Sequence, residues 1–138
     1  MFTLTIEPRF AETDALGHIS NTTFPIWFET ARDPVFKIFH PTMTTHDWPL
    51  ILAKQEIDFI AQTYMDKPVT INTYVNQIGN ASFDIIHEAR QNDKTVARGK
   101  AVMVRFNYQT EQSEPISDSA RKTLSEHLYE NTNSDHDN

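Results

Sequence analysis

The sequence contains no cysteine among its 138 residues. This absence excludes disulfides, a thiol nucleophile and metal sites built from thiolates. The six histidines show neither an HxxxH spacing nor another pairing typical of metal ligands. We therefore predict a protein without a metal site, and nothing in the sequence calls for another cofactor.

An excess of positive charge is also missing. The chain has 12 Lys and Arg against 19 Asp and Glu, a net charge of -7, so it has no general attraction to nucleic acid or to an anionic membrane. No apolar run approaches the length of a membrane span, and residues 1–7 lack the basic start of a signal peptide. We expect a cytoplasmic protein with no nucleic-acid partner and no membrane span.

The composition is that of a folded protein, with 38% hydrophobic and 22% charged residues. The length fits a single domain with a real core. We place that domain at residues 1–130. The polar stretch over residues 131–138 is expected to be a disordered tail.

Alternating apolar and polar residues predict strands, and an aromatic-rich stripe at helical spacing predicts one long helix. The strands are expected over residues 3–10, 50–64, 69–78, 82–90 and 95–108, the long helix over 24–39, and a short last helix from Ser117 to about Tyr129. Pro34 should kink or split the long helix near residues 32 and 33, because it removes a backbone hydrogen bond. Short turns between the last four strands favour an antiparallel meander.

This order of elements predicts an α+β fold. A curved antiparallel sheet of about five strands would wrap around one long central helix, with the short C-terminal helix packed at the periphery. An uncovered face or edge strand of such a sheet is covered most simply by a second copy of the chain.

Polar chemistry is most concentrated in residues 14–21, directly before the long helix. Asn21 is expected to cap that helix, because its side-chain oxygen can accept from free backbone N–H groups. The positive end of the helix would then lie near Asp14. A helix N-terminus can polarise a carbonyl oxygen while a carboxylate attacks the carbonyl carbon or activates water. The stretch therefore predicts an acyl-transfer site, and a capped loop without chemistry is the alternative.

Four segments carry a resemblance to a known family. They are the loop Asp14-x-x-Gly17-His18-x-x-Asn21, the helical Phe28-Glu29-Thr30-Ala31-Arg32, the turn Ile78–Phe83, and the strand Val96–Val102. In this order they resemble the hotdog-fold acyl-CoA thioesterases of the 4-hydroxybenzoyl-CoA thioesterase type, over nearly the whole chain.

The resemblance implies a hotdog fold and a homodimer or homotetramer with active sites at the dimer interface. In similar enzymes the loop aspartate, here Asp14, is the nucleophile or general base. The backbone N–H that polarises the thioester carbonyl would lie near Asn21. The chain departs from the family at Ser20, where Asn or Asp is common, and at Phe24, where Tyr is common.

Further residues can be assigned besides Asp14 and Asn21. His18 could orient Asp14 or contact the substrate, although a turn histidine that bonds nearby backbone is the alternative. Gly17 and Phe24 are assigned to substrate binding. Ser82, beside a Gly-Asn turn, could meet the pantetheine arm of coenzyme A, although a plain turn residue is the alternative. His87, on an otherwise apolar strand face, is expected to be a core histidine with its hydrogen bonds satisfied.

The chemistry of thioesters fits so small a set of groups. A thioester is electrophilic, and its thiolate leaves without a general acid because thiols have a pKa of about 8.5. One carboxylate and one carbonyl-polarising donor therefore suffice to release coenzyme A and a free carboxylic acid from an acyl-CoA. Two alternatives stay open: a hotdog hydratase or dehydratase that uses Asp14 with His18, and a non-catalytic acyl-CoA-binding module.

Overall fold

The computed structural model describes residues 1–129; the predicted disordered tail over residues 131–138 lies outside them. In chain order the elements are β1 (Phe2–Ile6), a short 3₁₀ helix (Phe10–Glu12), α1 (Thr23–Ala31), α2 (Asp33–Phe39), β2 (Leu50–Phe59), β3 (Val69–Ile78), β4 (Ser82–Gln91), β5 (Lys94–Asn107), β6 (Gln112–Ser113) and α3 (Asp118–Ser125). No helix within residues 1–129 is long and apolar enough to cross a membrane.

The strands form one antiparallel sheet in the order β1-β3-β4-β5-β2, with β6 beside β5. Only β3, β4 and β5 make the predicted meander. The tight turn between β4 and β5 has positive φ at Asn92 and Asp93, as a two-residue hairpin loop requires. The prediction was wrong for β2, which pairs with β5 at the far edge instead of with β3. Residues 60–68 form a longer connection that carries the chain from β2 across to β3.

The predicted long helix is two shorter helices. α1 has nine residues and α2 has seven, and Arg32 stands between them as the C-cap of one and the N-cap of the other. Pro34 lies in the first turn of α2, where its missing N–H costs nothing but prevents a continuous helix. The predicted split at residues 32 and 33 is thus confirmed, and the central helical segment of the predicted fold consists of two pieces, each shorter than the single long helix expected.

The first strand is shorter than predicted. β1 ends at Ile6, and Pro8 separates it from the 3₁₀ helix. β1 is an edge strand that pairs only with β3 among the described elements. The last helix also stops early, at Ser125, because residues 127–129 turn to pair with Val75 of β3.

The core lies between the helices and one face of the sheet. On β4 the predicted alternation holds, with Phe83, Ile85 and His87 facing the helices. At Gly99 of β5, a Cβ would lie 2.7 Å from two ring atoms of Phe28. Glycine at this position therefore allows α1 to approach the sheet closely.

The helices leave part of β2 uncovered. The register places Leu52 opposite Met103 and Phe59 opposite Ala97, two buried residues on the helix side of β5. Nevertheless Leu52 and Phe59 remain 41% and 51% exposed. One edge of the sheet thus presents apolar side chains that this subunit does not bury.

Candidate active site

The loop over residues 14–18 is folded around the Asp14 side chain. Asp14 Oδ1 accepts hydrogen bonds from the backbone N–H groups of Leu16, at 2.8 Å, and of His18, at 3.1 Å. The Asp14 N–H donates to the His18 carbonyl at 2.7 Å, and Gly17 has a φ of 81°, a left-handed conformation that glycine adopts without steric cost. The Asp14 side chain stays 42% exposed. The loop therefore orients a carboxylate that solvent or a ligand can reach.

Glu12 anchors this loop to α1. Its carboxylate accepts from Trp27 Nε1 at 2.7 Å, and its backbone carbonyl accepts from the Ser20 N–H at 2.9 Å. Burial alone would raise the pKa of Glu12, but the hydrogen bonds from Trp27 and Arg9 outweigh it and hold the pKa below its ordinary value. The hydrogen bonds of Glu12 thus connect the chain before the loop both to α1, at Trp27, and to the chain after the loop, at Ser20.

The start of α1 differs from the prediction for Asn21. Thr22 is the N-cap, in a helical conformation and without a side-chain cap bond, so the prediction that Asn21 caps the helix was wrong. Ser20 takes that role in part, because its hydroxyl and its carbonyl accept from the N–H groups of Thr22 and Thr23. Within residues 1–129, the Asn21 and Phe24 N–H groups donate no hydrogen bond. These two donors remain available at the positive end of the helix.

Asp14 and the start of α1 open into the same cavity. It has a volume of about 580 Å³, and Asp14, Asn21 and Phe24 border it together. The opposite wall is the end of β2 and the connection that follows it, from Phe59 to Thr63. Phe24 is buried and packs edge-on against Phe59, with ring centroids 5.8 Å apart. The predicted carboxylate and the predicted helix N-terminus are therefore brought together beside an apolar wall.

The remaining predicted residues lie at varying distances from this cavity. His18 is next to Asp14, but its ring packs edge-on against Tyr64, and its Nδ1 lies 4.0 Å from Asp14 Oδ2. Gly17 borders an adjoining depression with Tyr64. Ser82 opens β4, accepts from the Gly79 N–H, and does not border the cavity of its own subunit. A role for Ser82 in substrate binding stays a prediction that would require a second subunit.

Sequence reasoning missed Thr63. It is 2% exposed and borders the cavity, and its hydroxyl has no hydrogen-bond partner within residues 1–129. Its carbonyl accepts from the Ile19 N–H at 2.7 Å, which joins the residue 60–68 connection to the Asp14 loop. No local pattern marks Thr63, because it lies 49 positions after Asp14 in the sequence.

A second polar group is buried deeper between α1 and the sheet. Arg32 Nη1 donates to His87 Nε2 at 3.4 Å, and His87 Nδ1 lies 2.9 Å from the Thr73 hydroxyl. Because a guanidinium only donates, Nε2 is the acceptor and the proton resides on Nδ1. Burial, followed by the charge of Arg32, lowers the pKa of His87 to about 3. His87 is therefore neutral at pH 7, and the prediction of a satisfied core histidine is confirmed.

Comparison with known proteins identifies the superfamily of the chain. A family model described as the thioesterase-like superfamily matches residues 8–124. The uncharacterized protein YsmA of Bacillus subtilis is 26% identical over 121 residues, which cover 86% of this chain and 82% of that protein.

Solved structures extend the comparison to the fold. A predicted thioesterase from Bacillus stearothermophilus superposes with a TM-score of 0.91 at 42% identity, covering 94% of this chain and 97% of that one. A thioesterase from Thermus thermophilus, complexed with coenzyme A and Zn, superposes with a TM-score of 0.73 at 22% identity, covering 88% and 95% of the two chains. The protein therefore belongs to the thioesterase-like superfamily and has the hotdog fold.

Proposed function

We propose that this protein is an acyl-CoA hydrolase that releases coenzyme A and a free carboxylic acid. The observation that carries the proposal is the shared cavity of Asp14 and the first residues of α1. A carboxylate and a set of free backbone donors then face one volume, which is the minimum needed to hydrolyse a thioester. The coenzyme A bound to the Thermus thermophilus structure supports the ligand class.

The free N–H groups of Asn21 and Phe24 are the proposed donors to the thioester carbonyl oxygen. Negative charge develops on that oxygen in the transition state, and donors fixed in advance stabilise it without reorganising. The positive end of α1 adds to the same effect. Ser20 supports these donors indirectly, because it engages the N–H groups of Thr22 and Thr23 and fixes the geometry of the first turn.

Asp14 supplies the nucleophile or the base. Its Oδ1 is held by Leu16 and His18, so Oδ2 is the oxygen with more freedom to react. In one route Oδ2 attacks the carbonyl carbon and expels the coenzyme A thiolate, and water then hydrolyses the resulting anhydride. In the other route Oδ2 takes a proton from a water that attacks the same carbon. Both routes restore Asp14 and yield the same products.

A second copy of the chain is proposed to complete the site. β2 is an edge strand whose apolar side chains remain exposed on the helix side. Phe59 and Ile60 at its end border the cavity directly, and they are 51% and 52% exposed. A partner that pairs along β2 would bury these residues and close the cavity. We therefore propose a homodimer or a larger homo-oligomer in the cytoplasm.

The test is thiol release from a panel of short, long and aromatic acyl-CoAs, followed with a thiol-reactive chromophore. The protein has no cysteine, so it contributes no background. Asp14→Asn keeps the size of the side chain and removes its charge. We expect it to lose at least about 100-fold in kcat/KM, as is typical for a lost catalytic group. Asp118→Asn, in the exposed first turn of α3 and outside the lining of the cavity, is the matched control and should retain full activity.

Two results would redirect the proposal. If wild type binds acyl-CoA but releases no thiol from any substrate, the chain is an acyl-CoA-binding module. If it instead hydrates an enoyl-CoA, the neighbouring Asp14 and His18 act as the acid and base of a hydratase.

A further inference from the structure

Arg32 is a buried cation that forms no ion pair in the described chain, although the charge of Glu29 acts on it from a greater distance. It is 2% exposed, and no carboxylate within residues 1–129 lies within ion-pair distance of it. Its Nη1 makes only long hydrogen bonds, of 3.4 Å to His87 and 3.5 Å to Gln55. Neither its Nε nor its Nη2 makes a hydrogen bond within the described residues; Nε is enclosed by protein atoms, whereas Nη2 is not. A buried donor in this state costs free energy until an acceptor reaches it.

The same residue borders a second cavity, of about 560 Å³, between α2 and β2. Its apolar wall includes Phe36, Trp48 and Leu52. Two acidic residues, Glu29 and Asp33, also line it. The cavity therefore combines a guanidinium whose Nη2 is free to donate, an apolar lining and two acidic residues.

This cavity and the candidate active site lie along one seam between the helices and β2. Phe59 borders the first cavity, Leu52 borders the second, and Gln55 between them contacts Arg32. Phe24 and Arg32 are eight positions apart along the helical segment, which is about 12 Å at 1.5 Å per residue. The two cavities share no lining residue, and the Gln55–Arg32 contact crosses the seam between them. An acyl chain whose carbonyl lies at the start of α1 therefore reaches Arg32 by displacing the Gln55 side chain.

We propose that Arg32 selects acyl groups that carry an uncharged oxygen, a hydroxyl or a carbonyl, at their far end. This inference rests on the proposed function, because it assumes that a thioester binds beside Asp14. A plain alkyl end would leave the Arg32 donor unsatisfied. A terminal carboxylate would satisfy it but would also meet the carboxylates of Glu29 and Asp33. A neutral oxygen can accept from Arg32 without adding a negative charge beside Glu29 and Asp33.

The experiment compares three acyl-CoAs of equal length: an alkyl acyl-CoA, its ω-hydroxy analogue and its ω-carboxy analogue. Chains of about ten carbons suit the span, since successive bonds of about 1.5 Å advance in a zigzag. For wild type we expect kcat/KM for the hydroxy substrate to exceed both others by at least about tenfold, the scale of one well-used buried donor. This comparison needs no variant and therefore does not depend on how a variant folds.

Arg32→Met then tests the residue itself, because it keeps an unbranched side chain and removes every donor. We expect the ratio of kcat/KM between the hydroxy and alkyl substrates to fall to about one. Arg90→Met, an arginine on the outer face of β4 that bonds Thr95, is the matched control and should keep the wild-type ratio.

The outcomes separate the two proposals. Equal rates of wild type on the hydroxy and alkyl substrates would overturn the role of Arg32 while leaving the thioesterase proposal intact. The same conclusion follows if Arg32→Met slows both substrates equally, since that is the effect of a purely structural residue. If wild type hydrolyses none of the three but releases thiol from a short or aromatic acyl-CoA, the role of Arg32 is overturned and the thioesterase proposal stands. If it releases thiol from no acyl-CoA at all, the thioesterase proposal fails. Equilibrium binding of the corresponding non-hydrolysable thioethers then decides the selectivity, and equal affinities overturn it.

Discussion

The backbone N–H of His18 donates to Asp14 Oδ1 at 3.1 Å, whereas the ring Nδ1 of His18 lies 4.0 Å from Asp14 Oδ2. The main chain of His18, and not its imidazole, therefore makes the hydrogen bond that orients the carboxylate. A separation of 4.0 Å is beyond hydrogen-bond length.

For His18→Ala we predict a loss of less than about tenfold in kcat/KM, well below the loss for a catalytic group. The variant retains the N–H that holds Asp14. It does lose the edge-on contact with Tyr64, which should cost about 1 kcal/mol of unfolding free energy. Acyl-CoA kinetics and denaturant titration measure the two effects. A loss as large as that of Asp14→Asn would instead assign the imidazole a chemical role.

The Thr63 hydroxyl gives a second prediction, because Thr63→Val keeps its shape and removes one polar group. If the hydroxyl contacts the substrate or the attacking water, kcat/KM falls by about tenfold while the protein becomes no less stable. A rise of about 1 kcal/mol in unfolding free energy is expected from removing an unsatisfied buried hydroxyl. Thr73→Val is the contrasting variant, since its hydroxyl is bonded to His87 and its loss should destabilise. Unchanged kinetics of Thr63→Val would remove Thr63 from the site.

Close packing at Gly99 predicts a large effect on stability. A Cβ at this position would lie 2.7 Å from the Phe28 ring, and overpacking of this kind costs about 1–3 kcal/mol. Denaturant unfolding should therefore show Gly99→Ala well below wild type. Adding Phe28→Leu should recover part of the loss, because the two side chains compete for one space. Additive losses in the double variant would contradict the clash.

His87 predicts a dependence of stability on pH. Its pKa is about 3 in the folded protein against an ordinary value of 6.5, so the unfolded chain binds the proton first as the pH falls. The stability due to neutral His87 is present above pH 6.5 and is lost as the pH falls towards 3, at about 1.4 kcal/mol per pH unit. His87→Gln should lose that part of the slope between pH 6 and 4.

The control for this slope is His46→Gln, because the His46 side chain is 89% exposed. Carboxylates that titrate in the same pH range affect wild type and both variants alike. The effect of His87 is therefore the difference between the slopes of unfolding free energy against pH. Equal slopes for wild type and His87→Gln would contradict the buried, neutral state of His87.

The exposed edge at β2 predicts an oligomer that depends on Leu52. Wild type should elute with the mass of at least two chains of 16.0 kDa. Leu52→Glu should shift it towards the monomer, because a charge would be buried in the interface. Light scattering coupled to size exclusion measures the mass. Leu128→Glu is matched at 42% exposure and lies away from β2, so it should leave the mass unchanged. A monomeric wild type would exclude β2 as a permanent interface.

Local patterns in the sequence were sufficient for much of the fold. The alternation of β4 identified which side chains face the helices, and Pro34 located the break between α1 and α2, because both depend only on near neighbours. The Asp14 loop was found in the same way, since its glycine, its carboxylate and the helix that follows lie within a few residues of each other. The Asn21 cap failed at this level because Ser20 competed for the same N–H groups.

Long-range contacts accounted for the rest. The pairing of β2 with β5, the approach of Thr63 to Asp14 and the burial of Arg32 against His87 all join residues distant in sequence. Alternation shows that a strand has two faces but not which strand lies beside it. The residues next to Thr63 and Arg32 in the sequence do not indicate that these side chains will have polar atoms without a hydrogen-bond partner. The sequence by itself thus determined a carboxylate beside a helix N-terminus. The tertiary packing determined the walls of the cavity and the unsatisfied donors around it.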